Sequence, residues 1–151
     1  MRQLFVSIAL ISRIEGDRNR WLVRWRSPDG CYDLVRGFRL EQESFRETID
    51  REVGWQLGLS RQRDYLVSNM AQLNLEFVDV LPGETDPQHV AASFYPVHLY
   101  GREAHSRVEQ DRGNRWVTAD ELLQGRVQGE APLSPVTHHL IHRGDIIAAW
   151  H

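Results

Sequence analysis

The stretch from residue 44 to residue 59 constrains the fold most, because it contains a helix with both ends marked. Ser44 and Glu47 form a capping-box pattern, and Gly58 is typical of a helix stop. Apolar residues recur at every fourth position between these ends, at Phe45, Ile49, Val53 and Leu57. This spacing predicts one buried helical face. Inside a helix, Gly54 costs about 1 kcal/mol relative to alanine. We therefore expect either close packing at this position or other interactions that compensate for the cost.

Strand patterns surround this helix. Alternating apolar residues, or runs rich in β-branched and aromatic residues, predict strands at residues 4–11, 21–26, 32–35, 73–80 and 90–100. A polar turn at residues 15–20 makes the first two strands a hairpin, and a loop with two prolines lies at residues 81–87. The order of elements predicts a mixed α/β or α+β sandwich.

Two further helices are predicted in the last third of the chain. A short helix covers Thr118–Leu123 and stops at Gly125. The final helix has Ser134 as its cap and Pro135 at its first position, and Gly144 interrupts or ends it.

Composition excludes several classes of mechanism. All 18 basic residues are arginine, which excludes Schiff-base chemistry and a P-loop lysine. Cys31 is the only cysteine, so an intrachain disulfide and a cysteine-based zinc cluster are excluded and a reducing compartment is expected. The formal net charge of -3 gives no bulk attraction to nucleic acid or to an anionic membrane.

The length of 151 residues suits a single domain, residues 1–151. The apolar run at residues 4–11 is short and lacks a cleavage site, which favours a buried strand over a secretion signal. No stretch approaches the roughly 20 apolar residues of a membrane span. The sequence therefore predicts a cytoplasmic protein that has no membrane partner.

Residues 37–59 resemble the Nudix box. That pattern is glycine, five residues, glutamate, seven residues, Arg-Glu, an apolar residue, any residue, Glu-Glu, any residue, glycine and an apolar residue. The matching residues are Gly37, Glu43, Arg51, Glu52, Val53, Gly58 and Leu59. Tyr32 and the segment at residues 115–122 also resemble Nudix domains, so the resemblance spans almost the whole chain. It implies an α/β/α sandwich with a mixed sheet, a divalent metal, and hydrolysis of nucleoside diphosphates linked to another moiety.

The sequence departs from the pattern at the two central glutamates, where it has Trp55 and Gln56. Residues 52, 55 and 56 share one face of a helix, so carboxylates at all three would converge on one cation. Only Glu52 remains as a charged ligand, and Gln56 offers a neutral carbonyl oxygen. The resemblance then implies that Mg²⁺ or Mn²⁺ binds weakly at Glu52. Trp55 supplies no ligand and is large enough to fill the former cleft.

The resemblance assigns roles to the remaining motif residues. Glu52 and Gln56 are the candidate catalytic residues, expected to face a solvent-reachable cleft beside Gly37. The residues with a supporting role are Gly37, Glu43, Arg51 and Gly58. Arg51 can also pair with Glu47 four residues earlier. Glu103 or Glu109, expected in a late loop region, are candidates to replace the lost carboxylates.

Two functions stay open from the sequence. One is a divergent Nudix protein that acts as a weak metal-dependent hydrolase of nucleoside diphosphate-linked compounds. The other is a catalytically inactive Nudix fold that binds a nucleotide-like ligand or a protein partner. A nucleotide-like small molecule is the expected partner, together with a possible homodimer and without nucleic acid.

Histidine and tryptophan residues form the remaining candidate sites. His138 and His142 are four residues apart with His139 between them, a spacing that binds zinc but that is more often polar helix surface. For four of the five tryptophans, stacking on a nucleobase competes with a core or interface role; these are Trp21, Trp25, Trp116 and Trp150. The polar-surface and core interpretations are favoured. Cys31 has no visible activating partner, so it is not expected to be a nucleophile.

Overall fold

The computed structural model describes residues 1–129 and 131–147. Within these residues, eight strands form one mixed sheet: β1 (Arg2–Glu15), β2 (Arg18–Arg26), β3 (Cys31–Leu34), β4 (Arg36–Phe38), β5 (Tyr65–Val67), β6 (Leu73–Asp79), β7 (Gln88–Leu99) and β8 (Asn114–Val117). The two-residue strands β9 (Arg126–Val127) and β10 (Ala131–Pro132) pair with each other. The helices are α1 (Phe45–Leu57), α2 (Gly101–Gln110), α3 (Ala119–Gln124) and α4 (Pro135–Gly144).

Strand β1 organises the sheet because it has partners on both edges. Residues 2–11 pair in parallel with residues 88–97 of β7. On the other edge, residues 6–8 of β1 pair with β4 and residues 12–15 pair with β2, both antiparallel. This combination of directions confirms the predicted mixed sheet.

Side chains of β1 alternate between the two faces of the sheet, and each face carries its own core. One core combines Val6 and Ile8 with buried residues of α3 and α4, whereas the other combines Ala9 with buried residues of α1 and α2. The alternation follows from the two-residue period of a strand. Helices on both faces confirm the predicted α/β/α sandwich.

Helix α1 has the predicted ends and the predicted buried face. The Ser44 side chain accepts from the Glu47 backbone N–H while the Glu47 side chain accepts from the Ser44 N–H, at 3.0 and 2.9 Å. Ile49 and Val53 are fully buried. A side chain at Gly54 would place its Cβ 2.7 Å from the Tyr65 hydroxyl, so close packing explains the glycine.

The structure adds the short strands β4 and β5, which the sequence analysis did not predict, and it differs from the predictions at the first hairpin and in the late loop region. Strand β1 continues to Glu15 and β2 starts at Arg18, so the hairpin turn is shorter than residues 15–20. The late region expected to be a loop is helix α2, which carries both Glu103 and Glu109. Its buried residues are only Ala104 and Val108, and its first residue follows a position without a side-chain cap, so local helix signals are weak.

The helices are all short, and the longest described helix, α1, has 13 residues. Within residues 1–129 and 131–147, none is long and apolar enough to cross a membrane.

Candidate functional site

A cleft of about 420 Å³ lies where α1 meets β2, β4 and the turn after β2. Gly37, Glu52 and Gln56 all line it, at the location predicted for them. Trp55 also lines the cleft. Helix α1 contributes Glu52 and Gln56 to the same cleft because residues four apart lie on one helical face.

Glu52 is held by fixed contacts on both carboxylate oxygens. Its Oε2 accepts from Arg51 Nη1 at 3.0 Å, and its Oε1 accepts from the Gln56 amide at 3.2 Å. The side chain is 16% exposed. A Cβ at Gly37 would lie 2.6 Å from Oε2, so glycine at position 37 is what allows the carboxylate to pack against β4.

Gln56 connects α1 to the neighbouring strands. Its Nε2 also donates to the Arg36 backbone oxygen at 2.9 Å, and its own backbone oxygen accepts from Arg24 Nη1. The side-chain amide is thereby bonded to both Glu52 and β4. The contacts hold Gln56 within the wall of the cleft.

Glu43 and Arg51 form a bidentate ion pair next to the cleft. The Glu43 carboxylate accepts from Arg51 Nε and Nη2 at 2.9 and 3.0 Å, and also from the Thr48 hydroxyl and the Leu40 N–H. The hydrogen bond from Arg51, followed by those from Thr48 and Leu40, lowers the pKa of Glu43 from 4.5 to about 2 despite desolvation. The expected pairing of Arg51 with Glu47 is replaced by this contact, because Glu47 caps α1 instead.

Three arginines, which sequence reasoning missed, line the same cleft: Arg24, Arg26 and Arg36. Arg24 and Arg26 lie two residues apart on β2, so they share a face of that strand, and this spacing was the available sequence signal. Arg36 comes from β4, and only the sheet brings it to the other two.

Buried Asp33 anchors two of these arginines. It is 1% exposed, and its Oδ2 accepts from Arg36 Nε at 2.7 Å and lies 3.6 Å from Arg26 Nη1. Its other oxygen, Oδ1, accepts from the Thr137 hydroxyl of α4 at 2.5 Å. Arg36 is therefore held in place by a network that reaches across the fold.

Arg24 has an unpaired donor. Its Nη1 donates to Gln56 and its Nη2 lies 3.4 Å from Asp111, whereas its Nε is buried and has no hydrogen-bond partner among the described residues. A buried N–H donor without a partner costs free energy, about 1–3 kcal/mol.

The residues at Glu52 do not fit a Mg²⁺ or Mn²⁺ site. Among the described residues that line the cleft, Glu52 is the only carboxylate, and it faces three guanidinium groups. No group of three or more His, Cys, Asp or Glu suited to a metal ion occurs within residues 1–129 and 131–147. Hard divalent cations require several oxygen ligands, and the donors here are mostly cationic.

The two candidate replacement carboxylates lie elsewhere. Glu103 lies 3.6 Å from Arg63 and 4.0 Å from Arg107, and the Glu109 carboxylate accepts from Arg13 at 2.6 Å. Neither lines the cleft. Both are on a helix rather than in the expected loop, and neither supplies the missing ligands.

Aromatic side chains surround the mouth of the cleft. Trp55 is 80% exposed, Phe38 62% and Trp25 41%. Trp55, although large enough to fill the cleft, is exposed and lines it instead. Trp21 is buried, as a core role predicts, and Trp150 lies outside the described residues.

Comparisons of the sequence with protein-family models and with characterised proteins find no match. The structure, however, is similar to the NUDIX domain of Shewanella oneidensis NrtR in complex with ADP ribose, with a TM-score of 0.58 and 15% identity over 95% of this chain and 86% of that chain. It is also similar to a MutT protein from Methanosarcina mazei Go1, with a TM-score of 0.56 and 20% identity over 96% and 94% of the two chains. The chain has the Nudix fold.

Longer chains contain this fold too. A longer structure of Shewanella oneidensis NrtR gives a TM-score of 0.61 and 17% identity over 93% of this chain, and this chain spans only 61% of that one. NrtR is also solved in complex with a 27mer DNA. A Nudix fold therefore occurs both with ADP ribose and in a DNA-bound protein, so the fold alone leaves nucleic acid open as a partner.

Proposed function

We propose that the cleft binds a nucleotide-like anion, a nucleoside diphosphate or a derivative of one, without requiring a divalent metal. The observation that carries this proposal is the composition of the cleft. Among the described residues, three arginines line it together with a single carboxylate, and both oxygens of that carboxylate are already hydrogen-bonded. On this proposal the whole chain, residues 1–151, is one divergent Nudix domain.

Phosphate recognition rests on the arginines. Guanidinium groups match phosphate oxygens in geometry and bind them bidentately. Arg24 also lines the cleft, and the contacts of its Nη1 with Gln56 and of its Nη2 with Asp111 hold its guanidinium group in place. Arg36 is pre-positioned because buried Asp33 holds its Nε.

Base recognition rests on the aromatic rim. Trp55 is 80% exposed at the edge of a cleft that contains three cations. Stacking of a base on an aromatic side chain contributes about 1–3 kcal/mol. ADP ribose, the molecule bound by the NUDIX domain of NrtR, combines an adenine base with a diphosphate and is the natural first probe.

The experiment is a calorimetric titration of ADP ribose into the protein in buffer with EDTA. We expect binding with a micromolar Kd, at least fivefold weaker in Arg24→Gln and Arg26→Gln, and weaker at higher salt. Arg2→Gln is the matched control, because Arg2 is 75% exposed and lies outside the cleft. Unchanged affinity in both cleft variants, or binding only after Mg²⁺ is added, overturns the proposal.

The hydrolase alternative is tested with the same compound. The unaltered protein is incubated with ADP ribose and Mn²⁺, and the release of AMP is followed by chromatography. We expect no release above buffer. Metal-dependent release that disappears in Glu52→Gln would establish the weak hydrolase instead.

A further inference from the structure

Two histidines of α4 converge on one backbone oxygen of α3. The Nε2 atoms of His138 and His142 each lie 2.7 Å from the Leu123 carbonyl oxygen, and they are 3.1 Å from each other. The two rings are nearly perpendicular, at 86°. This cluster lies on the sheet face that carries α3 and α4, opposite the face that carries α1.

The end of α3 and one face of α4 bring the two Nε2 atoms and the carbonyl oxygen together. Helix α3 stops at Gly125, which has a left-handed backbone with φ 76°, so Leu123 belongs to the last turn, where carbonyl oxygens lack helical partners. A Cβ at Gly125 would lie 3.1 Å from the His138 ring. Glycine there allows the imidazole to lie against the end of α3.

Hydrogen bonds explain two of these three approaches. The Leu123 carbonyl oxygen has two lone pairs and accepts from both histidines when each Nε2 carries a hydrogen. The two nitrogens, at 3.1 Å, are then only in van der Waals contact, so the three atoms lie close together with no hydrogen bond between the imidazoles. A cation between the three atoms would use a lone pair from each of them.

We propose that His138 Nε2, His142 Nε2 and the Leu123 carbonyl oxygen bind one divalent transition-metal ion of the Zn²⁺, Ni²⁺ and Cu²⁺ class, with water completing the coordination. Imidazole is a preferred ligand for these metals. Zn–N bonds are about 2.0–2.1 Å long, so one ion reaches both nitrogens, and tetrahedral ligand atoms then lie roughly 3.3 Å apart. The side chains reach that spacing by moving a few tenths of an ångström from the carbonyl.

The expected consequence is a metal-dependent link between α3 and α4. A ligand that binds only the folded state raises the melting temperature. The effect is independent of the Glu52 cleft, because the two sites share no residue.

The test uses the full chain without a polyhistidine tag, stripped of metal and titrated with ZnCl₂ by calorimetry. We expect one equivalent to bind with a micromolar Kd and to raise the melting temperature. His138→Gln and His142→Gln should each weaken binding at least tenfold, while His105→Gln, on α2, should leave it unchanged. Circular dichroism checks that each variant is folded.

A second measurement identifies the ligands directly. With Cu²⁺ in place of Zn²⁺, electron paramagnetic resonance should show two coordinated imidazole nitrogens in the unaltered protein and one in either glutamine variant. Absence of Zn²⁺ binding in the unaltered protein overturns the proposal. Binding that persists equally in the double variant His138→Gln with His142→Gln also overturns it.

Discussion

The two halves of the motif at residues 37–59 differ in what their charged residues contact. At the first half, Glu43 and Arg51 form a bidentate pair reinforced by Thr48. At the second half, Glu52 is the single carboxylate among the described residues that line the cleft, which also include three arginines. The first half positions the start of the helix, and the second contributes to the charge of the cleft. The difference teaches that the contacts that hold α1 in place and the charges that line the cleft come from different residues.

The largest expected effect comes from the contact between Glu43 and Arg51 in the first half. Glu43→Gln removes the charge that pairs with Arg51, and the free energy of unfolding should fall by about 2 kcal/mol, as for hydrogen bonds to charged groups. Urea denaturation measures this. Glu41→Gln, an exposed neighbour, is the control and should change little. If both variants lose the same amount of unfolding free energy, the Glu43 contact does not stabilise the folded state.

The same contact predicts a pH dependence. The pKa of Glu43 is about 2 in the folded protein and 4.5 ordinarily, so its contribution is complete above about pH 4.5. That contribution is lost as the pH falls through 4.5 toward 2, because the unfolded chain takes up the proton first. Unfolding free energies measured across this range should converge for the unaltered protein and Glu43→Gln at the acid end. A constant difference between them would contradict the assignment.

Gly37→Ala tests how the two halves are joined. The added methyl group collides with the Glu52 side chain, and the expected cost is about 1–3 kcal/mol, typical of overpacking. In the Glu52→Ala background the same substitution should cost much less. The four unfolding free energies form a double-mutant cycle. If Gly37→Ala lowers the free energy of unfolding equally in the unaltered and in the Glu52→Ala background, the strain lies in the backbone and not in the contact with Glu52.

Placing carboxylates in the second half should change the ligand that the cleft prefers from an anion to a divalent cation. Trp55→Glu with Gln56→Glu should bind Mn²⁺ at least tenfold more tightly than the unaltered protein, because three carboxylates then share one face of α1. Loss of the Gln56 bond to Arg36 should cost about 1 kcal/mol. Calorimetry gives the affinity, with Trp55→Gln as the control. A folded double variant without Mn²⁺ binding would show that the arginines dominate the cleft.

The smallest effect on stability is expected from Trp55→Ala. Trp55 is 80% exposed, so the free energy of unfolding should change by less than about 0.5 kcal/mol. Affinity for ADP ribose should nevertheless fall at least fivefold, because a stacking surface is lost. Met70→Ala, at 78% exposure, should change neither quantity. Unchanged affinity in Trp55→Ala would remove the indole from the proposed site.

The sequence predicts the elements whose signals are local. Helix α1 is predicted with its capping box and its stop because Ser44, Glu47 and Gly58 act within a few residues of one another. Helix α2 is missed because Ala104 and Val108 provide too little periodicity. Packing against the sheet, rather than the local sequence, decides which face of this helix is buried.

The residues of the candidate site also divide into those that local spacing predicts and those that depend on the whole fold. The positions of Glu52 and Gln56 follow from their spacing on one helix. The positions of the cleft arginines do not follow from spacing, because Arg36 lies in the same cleft as Arg24 only once β2 and β4 are both paired in the sheet. The spacing of His138 and His142 is visible in the sequence, whereas the Leu123 carbonyl that they share depends on where α3 stops.

The parallel pairing of β1 with β7 has a consequence for how the chain folds. Residues 2–11 find their partners only at residues 88–97, so this central pairing cannot form until most of the chain has been synthesised. Pairings between residues so distant along the chain carry a loop-closure cost and slow folding. The hairpin of β1 with β2 can form early, but the other edge of β1 stays unpaired until β7 is available. Until it arrives, that edge is open to pairing with another chain.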